Sequence, residues 1–183
     1  MESNTTRQHQ IHIPPQLANL LLQGDVTLGQ VAGLEQKKLY EIANIGFQML
    51  NSGKLEEAKI IYRGLVAAAP YDSVFHCHLG AAHHRANEID EALYSYNQAL
   101  AINHTNIDAL AGRGEISYLR GNYQEAIQDL RRVFELDPTA SRPSTQRARS
   151  FVWALKEALE GQETAANADA TANQNQIPAS AGG

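Results

Sequence analysis

The side chains with the widest chemical repertoire lie close together in the middle of the chain. Four histidines, His76, His78, His83 and His84, and the only cysteine, Cys77, fall within nine residues. On a helix, two ligands of one metal ion must be three or four residues apart to share a face. The histidine pairs are one, two, five, six, seven or eight residues apart. The sequence therefore predicts no metal site and no cofactor.

Catalysis at Cys77 would require a nearby base and a lowered thiol pKa. His78 is adjacent in sequence but points to another side of a helix, so we expect Cys77 to be a small packed residue. The acidic pairs at residues 56–57 and 90–91 directly precede alanines that are predicted to pack. They suit the first turn of a helix, where carboxylates interact favourably with the helix dipole. No glycine-rich phosphate loop follows a strand. We therefore expect a protein that is not an enzyme.

The overall charge and the apolar segments limit the partners and the compartment. The 183 residues carry a formal net charge of -5, so the chain lacks the basic surface on which non-specific binding to nucleic acid depends. An anionic membrane surface would attract it no better. The apolar run at residues 17–22 is too short to span a bilayer and lacks the order of a signal peptide. We expect a cytoplasmic protein that binds neither nucleic acid nor membranes.

A period of 34 residues runs through the chain and positions these side chains. Small residues suit places where two helices cross closely. Glycine and asparagine adopt the left-handed conformation that ends a helix, and proline cannot continue one. We therefore predict that each unit forms two antiparallel helices joined by a tight turn. The five rows in register are Gly46, Gly80 and Gly114; Ala58, Ala92 and Ala126; Gly53, Asn87 and Gly121; Tyr62, Tyr96 and Leu130; and Pro70, His104 and Pro138.

This period resembles the tetratricopeptide repeat. The units lie at residues 39–72, 73–106 and 107–140. The predicted fold is therefore all-α, a helix–turn–helix solenoid of three repeats with a helix at each end. Arg113 stands where the repeat usually has a leucine, and we expect this change to loosen the packing of the third unit.

Residues 13–38 precede the first unit. They contain a short predicted helix at Pro15–Gln23, closed by Gly24, and a linker at Asp25–Gly33. Residues 1–12 lack any periodicity, and we expect them to be disordered.

Residues 141–161 follow the last unit and are predicted to form a capping helix, mainly over Ser144–Glu160. Pro143 near its start and Gly161 after its end are typical of helix termini. Residues 162–183 are rich in alanine, asparagine, glutamine and threonine, and we expect a disordered tail. The apolar face of the helix, which would cover the end of the solenoid, consists of Ala148, Phe151, Val152, Leu155 and Leu159.

The first helix of each unit lines the concave side of a tetratricopeptide solenoid. Here the groove-facing residues are apolar or aromatic at one end, with small residues between larger ones, which suits an extended peptide whose side chains enter pockets. Phe47 and Leu50 have an alternative interpretation as ordinary core residues. The predicted peptide-binding groove consists of Tyr40, Ala43, Asn44, Phe47, Leu50, Val74, Cys77, His78, Ala81, His84, Asp108, Ala111, Glu115 and Tyr118.

Co-chaperones of the large heat-shock proteins use similar repeats to hold a C-terminal carboxylate in a clamp of lysine and asparagine. The corresponding positions here resemble no such clamp, and Asp108 would repel a carboxylate. We therefore exclude this function. The positions are Ala43, Phe47, His78, Asp108 and Gly112.

A narrower resemblance is carried by the glycine-containing linker at residues 24–34, by residues 52–58 and by the junction YDSVF at residues 71–75. Together with the three-repeat size, these segments look like the class II chaperones of bacterial type III secretion, the low-calcium-response protein H group. The resemblance extends over residues 15–160.

This resemblance implies a function and partners. Such chaperones bind hydrophobic translocator proteins in the bacterial cytoplasm and keep them soluble and apart before export. An extended N-terminal segment of the translocator lies in the concave groove, and the chaperone forms a homodimer through its N-terminal helices. A generic tetratricopeptide scaffold, which would bind a folded partner during assembly of a complex, is the alternative.

Overall fold

The computed structural model describes residues 14–157, except residue 155 and the side chains of residues 17 and 18. The segments predicted to be disordered, 1–12 and 162–183, lie outside the described residues. So does the predicted end of the capping helix, with two members of its apolar face, Leu155 and Leu159.

Nine helices and no strand make up the described part of the chain, which confirms the predicted all-α fold. The ninth, α9, covers residues 143–154 and continues at residues 156–157. The others are α1 (Pro15–Gln23), α2 (Leu28–Val31), α3 (Gln36–Asn51), α4 (Leu55–Ala68), α5 (Ser73–Arg85), α6 (Ile89–Ile102), α7 (Ile107–Leu119) and α8 (Tyr123–Leu136).

Three helix pairs, α3–α4, α5–α6 and α7–α8, form the body of the fold, as the period predicts. The turn within each pair is tight because one residue has a left-handed backbone: Gly53 with φ 78°, Asn87 with φ 62° and Gly121 with φ 77°. Glycine adopts this conformation freely and asparagine more readily than most residues. This row of residues therefore ends the first helix of each unit, as predicted.

Tyr96 joins the second unit to the third. A Cβ atom on Gly80 would lie 2.8 Å from Cδ1 of this ring, and a Cβ atom on Gly112 would lie 2.4 Å from its Cζ. Both positions therefore need glycine for the ring to pack against α5 and α7. Tyr62 occupies the equivalent position in the first unit, and its hydroxyl donates a hydrogen bond of 2.9 Å to the Ala43 carbonyl.

The core runs along the solenoid as apolar clusters between neighbouring helices. Tyr62 and Phe75 lie in the cluster that joins the first unit to the second. In the third unit, Arg113 donates two hydrogen bonds of 2.8 Å to Asp129. Our expectation of looser packing overlooked this bidentate ion pair, which takes the place of an apolar contact between α7 and α8.

The segment before the first unit differs from the predicted linker because it contains α2. The Thr27 side chain accepts a hydrogen bond from the Gln30 amide, and the Gln30 side chain accepts one of 2.7 Å from the Thr27 amide. A threonine followed by glutamine three residues later is the sequence signal of this capping box. In addition, α3 begins at Gln36, before the predicted unit boundary. The bounds of α1 agree with the prediction, and Gly24 closes it with φ 80°.

Asp137 fixes the turn that leads into α9. Its carboxylate accepts hydrogen bonds of 3.0 Å from the amides of Arg142 and Ser141. These bonds lower the pKa of Asp137, so the carboxylate stays charged and continues to accept them. The helix starts at residue 143, one residue before its predicted start.

Candidate peptide-binding groove

The first helices of the units, α3, α5 and α7, lie side by side, and residues 34 positions apart occupy equivalent places on their common face. The predicted groove residues fall into three classes of exposure. Tyr40, Asn44, Phe47 and Asp108 are exposed; Val74, His78, Ala81, His84, Glu115 and Tyr118 are half-buried; and Ala43, Leu50, Cys77 and Ala111 are buried. The buried residues form a floor and offer little surface of their own to a peptide.

Phe47 and Leu50 have different environments. The Phe47 side chain is 45% exposed, whereas Leu50 is 4% exposed and packs with Ala58 and Ala82 in a core cluster. Phe47 is therefore a surface residue, and Leu50 supports the groove from below. The alternative interpretation as a core residue holds for Leu50 and not for Phe47.

An aromatic group formed by Phe47, Tyr62 and His78 lies at the boundary between α3 and α5. The His78 ring stacks on Tyr62 with a centroid distance of 5.2 Å and an interplanar angle of 10°. Phe47 meets the same ring edge-on at 5.9 Å. Burial lowers the pKa of His78, and its Nδ1 has no hydrogen-bond partner. At neutral pH the ring is therefore an uncharged, largely apolar part of the groove.

Tyr40 marks the end of the groove nearest the N-terminus. Its ring packs against Phe75 at 5.2 Å, and its hydroxyl donates a hydrogen bond of 2.9 Å to Asp72. Burial, together with this hydrogen bond, raises the pKa of Tyr40 to about 12. A pocket of about 490 Å³ adjoins Tyr40, with Leu34, Tyr71 and other residues of the junction in its wall. This pocket is large enough for an apolar side chain of a peptide.

The groove is charged at its other end. Asp108 and Glu115 lie on α7, and each faces an arginine from the C-terminal segment: Arg142 Nη1 is 3.4 Å from Asp108 Oδ2, and Arg147 Nε is 3.6 Å from Glu115 Oε2. The predicted groove lacked both arginines. The sequence signals Arg142, because this residue lies 34 positions after Asp108, whereas Arg147 lies 32 positions after Glu115. The prediction ends the period at the third unit and therefore includes neither arginine.

The clustered histidines are divided between two sides of α5. His78 and His84 belong to the groove, where burial lowers the pKa of each. On the other side, His76 Nε2 lies 2.8 Å from the Pro70 carbonyl oxygen and His83 Nδ1 lies 2.5 Å from Glu88 Oε2. Within the described residues, no group of three or more histidine, cysteine, aspartate or glutamate side chains could hold a metal ion.

Cys77 is a packed residue of the groove floor. Its side chain is buried, and burial raises the pKa of the thiol. A thiol in such an environment is protonated at neutral pH and is a poor nucleophile. The arrangement offers an apolar, partly aromatic channel with a charged end, which suits binding of a peptide segment.

Comparisons with known proteins agree with this arrangement. The tetratricopeptide repeat family model matches residues 107–140, the bounds predicted for the third unit. Low calcium response locus protein H of Yersinia pestis is 24% identical over 157 residues, which cover 85% of this chain and 90% of that protein. Human RNA polymerase II-associated protein 3 is 28% identical over 105 residues, which cover 57% of this chain and 16% of that protein.

A solved structure supports the same fold. It contains the type III secretion chaperone SycD of Yersinia enterocolitica in complex with a peptide of the translocator YopD. SycD is 25% identical to this chain in sequence and superposes with a TM-score of 0.58, and the match covers 67% of this chain and 95% of SycD in that structure. The resemblance to the low-calcium-response protein H group that we predicted from the sequence is confirmed. No helix within residues 14–154 is long and apolar enough to cross a membrane.

Proposed function

We propose that this chain, a relative of low calcium response locus protein H, is a chaperone of bacterial type III secretion. It binds an extended segment of a hydrophobic translocator protein in its concave groove. The complex forms in the bacterial cytoplasm, where the chaperone keeps the translocators soluble and apart before export.

The exposed aromatic surface of the groove is the observation that supports this proposal most strongly. Phe47 is exposed beside a neutral His78, and Tyr40 borders an open pocket. A soluble protein rarely leaves aromatic side chains exposed along a concave surface unless a partner covers them. An extended apolar segment fits this surface because its side chains would enter the pockets while its backbone contacts polar groups at the rim.

Binding without chemistry is sufficient for this role. A chaperone that binds only the exposed segment of its client lowers the concentration of the free, aggregating form by mass action. It needs no nucleotide and no catalytic residue, in keeping with a protein that is not an enzyme. Release then requires the secretion machinery to compete for the client.

The N-terminal helix suits a dimer interface. Leu22 is 86% exposed on α1, and Leu20 is also exposed. Two such helices would cover these leucines in a symmetric homodimer. We therefore assign homodimerisation to the region of α1 and keep the groove for the client.

A generic tetratricopeptide scaffold that binds a folded partner is the second candidate, because RNA polymerase II-associated protein 3 is also similar to this chain. The groove argues against a carboxylate clamp. Phe47 is apolar, His78 is neutral, and Asp108 carries a negative charge at positions where the clamp needs lysine and asparagine.

Co-expression tests the proposal. The chain is produced together with each apolar protein encoded beside its gene, and the products are analysed by pull-down and size-exclusion chromatography. We expect one of these proteins to become soluble only with this chain and to elute with it as a defined complex. If every neighbour is soluble alone or none binds, the chaperone function is wrong. A folded partner whose solubility does not change would favour the scaffold.

A further inference from the structure

We propose that α9 is the first helix of a fourth, half repeat and extends the client-binding groove with Arg149 and Trp153. This inference rests on the proposed chaperone function and adds a surface to it. This surface binds the part of the client segment that extends beyond the third unit. In that part, an apolar side chain and a carboxylate of the client lie next to each other.

The 34-residue register continues into α9. At the floor position of the groove, the residue is buried in all four helices, and the same is true at the position where two helices cross. The floor row is Ala43, Cys77, Ala111 and Thr145, and the crossing row is Gly46, Gly80, Gly114 and Ala148. Both rows keep small or short side chains, so α9 packs on α7 as α7 packs on α5.

Contacts that α7 makes with α9 and with the residue just before it agree with this register. Arg142 pairs with Asp108, which precedes it by one period, and Arg147 pairs with Glu115. The Tyr118 and Phe151 rings meet at 5.6 Å with an angle of 64°. All three partners on α7 are predicted groove residues, so the start of α9 lies beside the groove rather than beneath the end of the solenoid.

Two apolar residues of α9 remain uncovered within the described residues. Trp153 is 64% exposed and Val152 is 39% exposed. In the register, Trp153 corresponds to Leu119 of α7, which is also 64% exposed. In the same register, Val152 corresponds to Tyr118. We therefore infer an apolar strip across the ends of the two helices that continues the groove and consists of Tyr118, Leu119, Val152 and Trp153.

Arg149 makes the apolar strip favour a ligand with a negative charge beside its apolar side chain. It lies four residues before Trp153, a spacing that puts both side chains on one helix face. Within the described part of the chain, Arg142 and Arg147 are neutralised by Asp108 and Glu115, whereas the exposed Arg149 has no acidic partner. This helix face therefore fits a client segment that has an apolar side chain next to a carboxylate, since the carboxylate would form an ion pair with the Arg149 guanidinium.

Fluorescence provides the test because Trp153 is the only tryptophan in the chain. The full chain is measured alone and in the complex with the translocator encoded beside it, with any tryptophan of that translocator changed to phenylalanine. We expect the complex to shift the emission of Trp153 to shorter wavelength and to reduce its quenching by acrylamide.

A matched pair of variants measures the contribution of Arg149. The segment of the translocator that the complex protects from proteolysis is synthesised as a peptide and titrated into each variant. We expect Arg149→Glu to weaken binding about threefold to fivefold. Arg131→Glu makes the same change of charge at an exposed position on α8, and we expect it to leave the affinity unchanged.

The outcomes separate this inference from the proposed function. If the complex forms but Trp153 keeps its emission and both variants bind alike, α9 is only a cap and the chaperone function stands. If no complex forms, both fall. If Trp153 is already shielded in the free chain and deletion of residues 162–183 exposes it, the tail covers this face and the inference is wrong.

Discussion

Lys59 Nζ lies 2.6 Å from Glu88 Oε1 across the boundary between the first and second units, although the lysine side chain is only 2% exposed. A second carboxylate, Glu56, lies 2.6 Å from the same nitrogen. The other oxygen of Glu88 contacts His83 Nδ1 at 2.5 Å. Hydrogen bonds to Glu56 and Glu88 raise the pKa of Lys59, so the buried lysine remains charged. A charge in this position is tolerated because it is paired.

This network predicts an unequal effect of removing either partner. Lys59→Met keeps the apolar stem and leaves two carboxylates that water can reach. Glu88→Gln leaves the buried ammonium group with only the exposed Glu56 as a charged partner, and it leaves one acceptor oxygen where Lys59 and His83 use two. We therefore expect Glu88→Gln to lower the midpoint of urea unfolding clearly more than Lys59→Met does. Equal midpoints for the two variants would show that Lys59 does not depend on Glu88.

Two glycines predict opposite effects of the same substitution. A Cβ atom on Gly80 would lie 2.8 Å from the Tyr96 ring, whereas one on Gly64 of α4 would meet no atom within 4 Å. Gly64→Ala should raise the free energy of unfolding by about 1 kcal/mol, because alanine favours a helix. Gly80→Ala should lower it by about 2 kcal/mol, because Tyr96 must move. Stabilisation by both substitutions would contradict the packing of Tyr96.

Acid should weaken the fold through His78. Burial lowers its pKa in the folded state, so the unfolded state binds a proton more readily. This histidine therefore leaves stability unchanged above its ordinary pKa of about 6.5. It reduces stability as the pH falls from that value towards the lowered pKa of the folded state, below which the loss is complete. Asp108 and Asp72 oppose the shift. Urea unfolding of the wild type should lose more stability between neutral and acidic pH than that of His78→Phe, which keeps the ring stack. Parallel pH profiles would exclude this role.

A single charge on α1 should separate dimerisation from folding. Leu22→Asp places a carboxylate on the exposed face of this helix, where it would be desolvated in a symmetric interface. We expect the variant to be a monomer by light scattering, with unchanged helicity by circular dichroism. Ile60→Asp, at another exposed apolar position, is the control and should remain a dimer. A dimeric Leu22→Asp would place the interface elsewhere.

The repeating part of the fold could be predicted from the sequence because the 34-residue period reports where helices cross, turn and end. Gly80, Asn87 and Tyr96 illustrate this, since each has a residue type that its place in the period requires. The pairing of Lys59 could not be predicted in this way. A lysine on the second helix suggests a solvated position, and its partner Glu88 lies 29 residues away, in the next unit.

The candidate site was predictable as a surface but not residue by residue. Equivalent positions in a repeat do not have equal depth, because depth depends on the neighbours: Leu50 is buried on Ala58 and Ala82, whereas Tyr118, its equivalent in the third unit, is half-buried. The predicted groove omits Arg142 and Arg147 because the prediction ends the period at the third unit. Extending it would have placed Arg142 beside Asp108.

The affinity of the translocator segment for Phe47→Asp tests the central claim most directly. Phe47 is an exposed groove residue, and Ile60→Asp makes a comparable change on α4, where Ile60 is 67% exposed. By calorimetric titration with the protease-protected peptide of the translocator, Phe47→Asp should weaken binding about tenfold or more. Ile60→Asp should stay within about twofold of the wild type, and both variants should keep their helicity. If Phe47→Asp binds as tightly as Ile60→Asp does, the client does not lie in the concave groove.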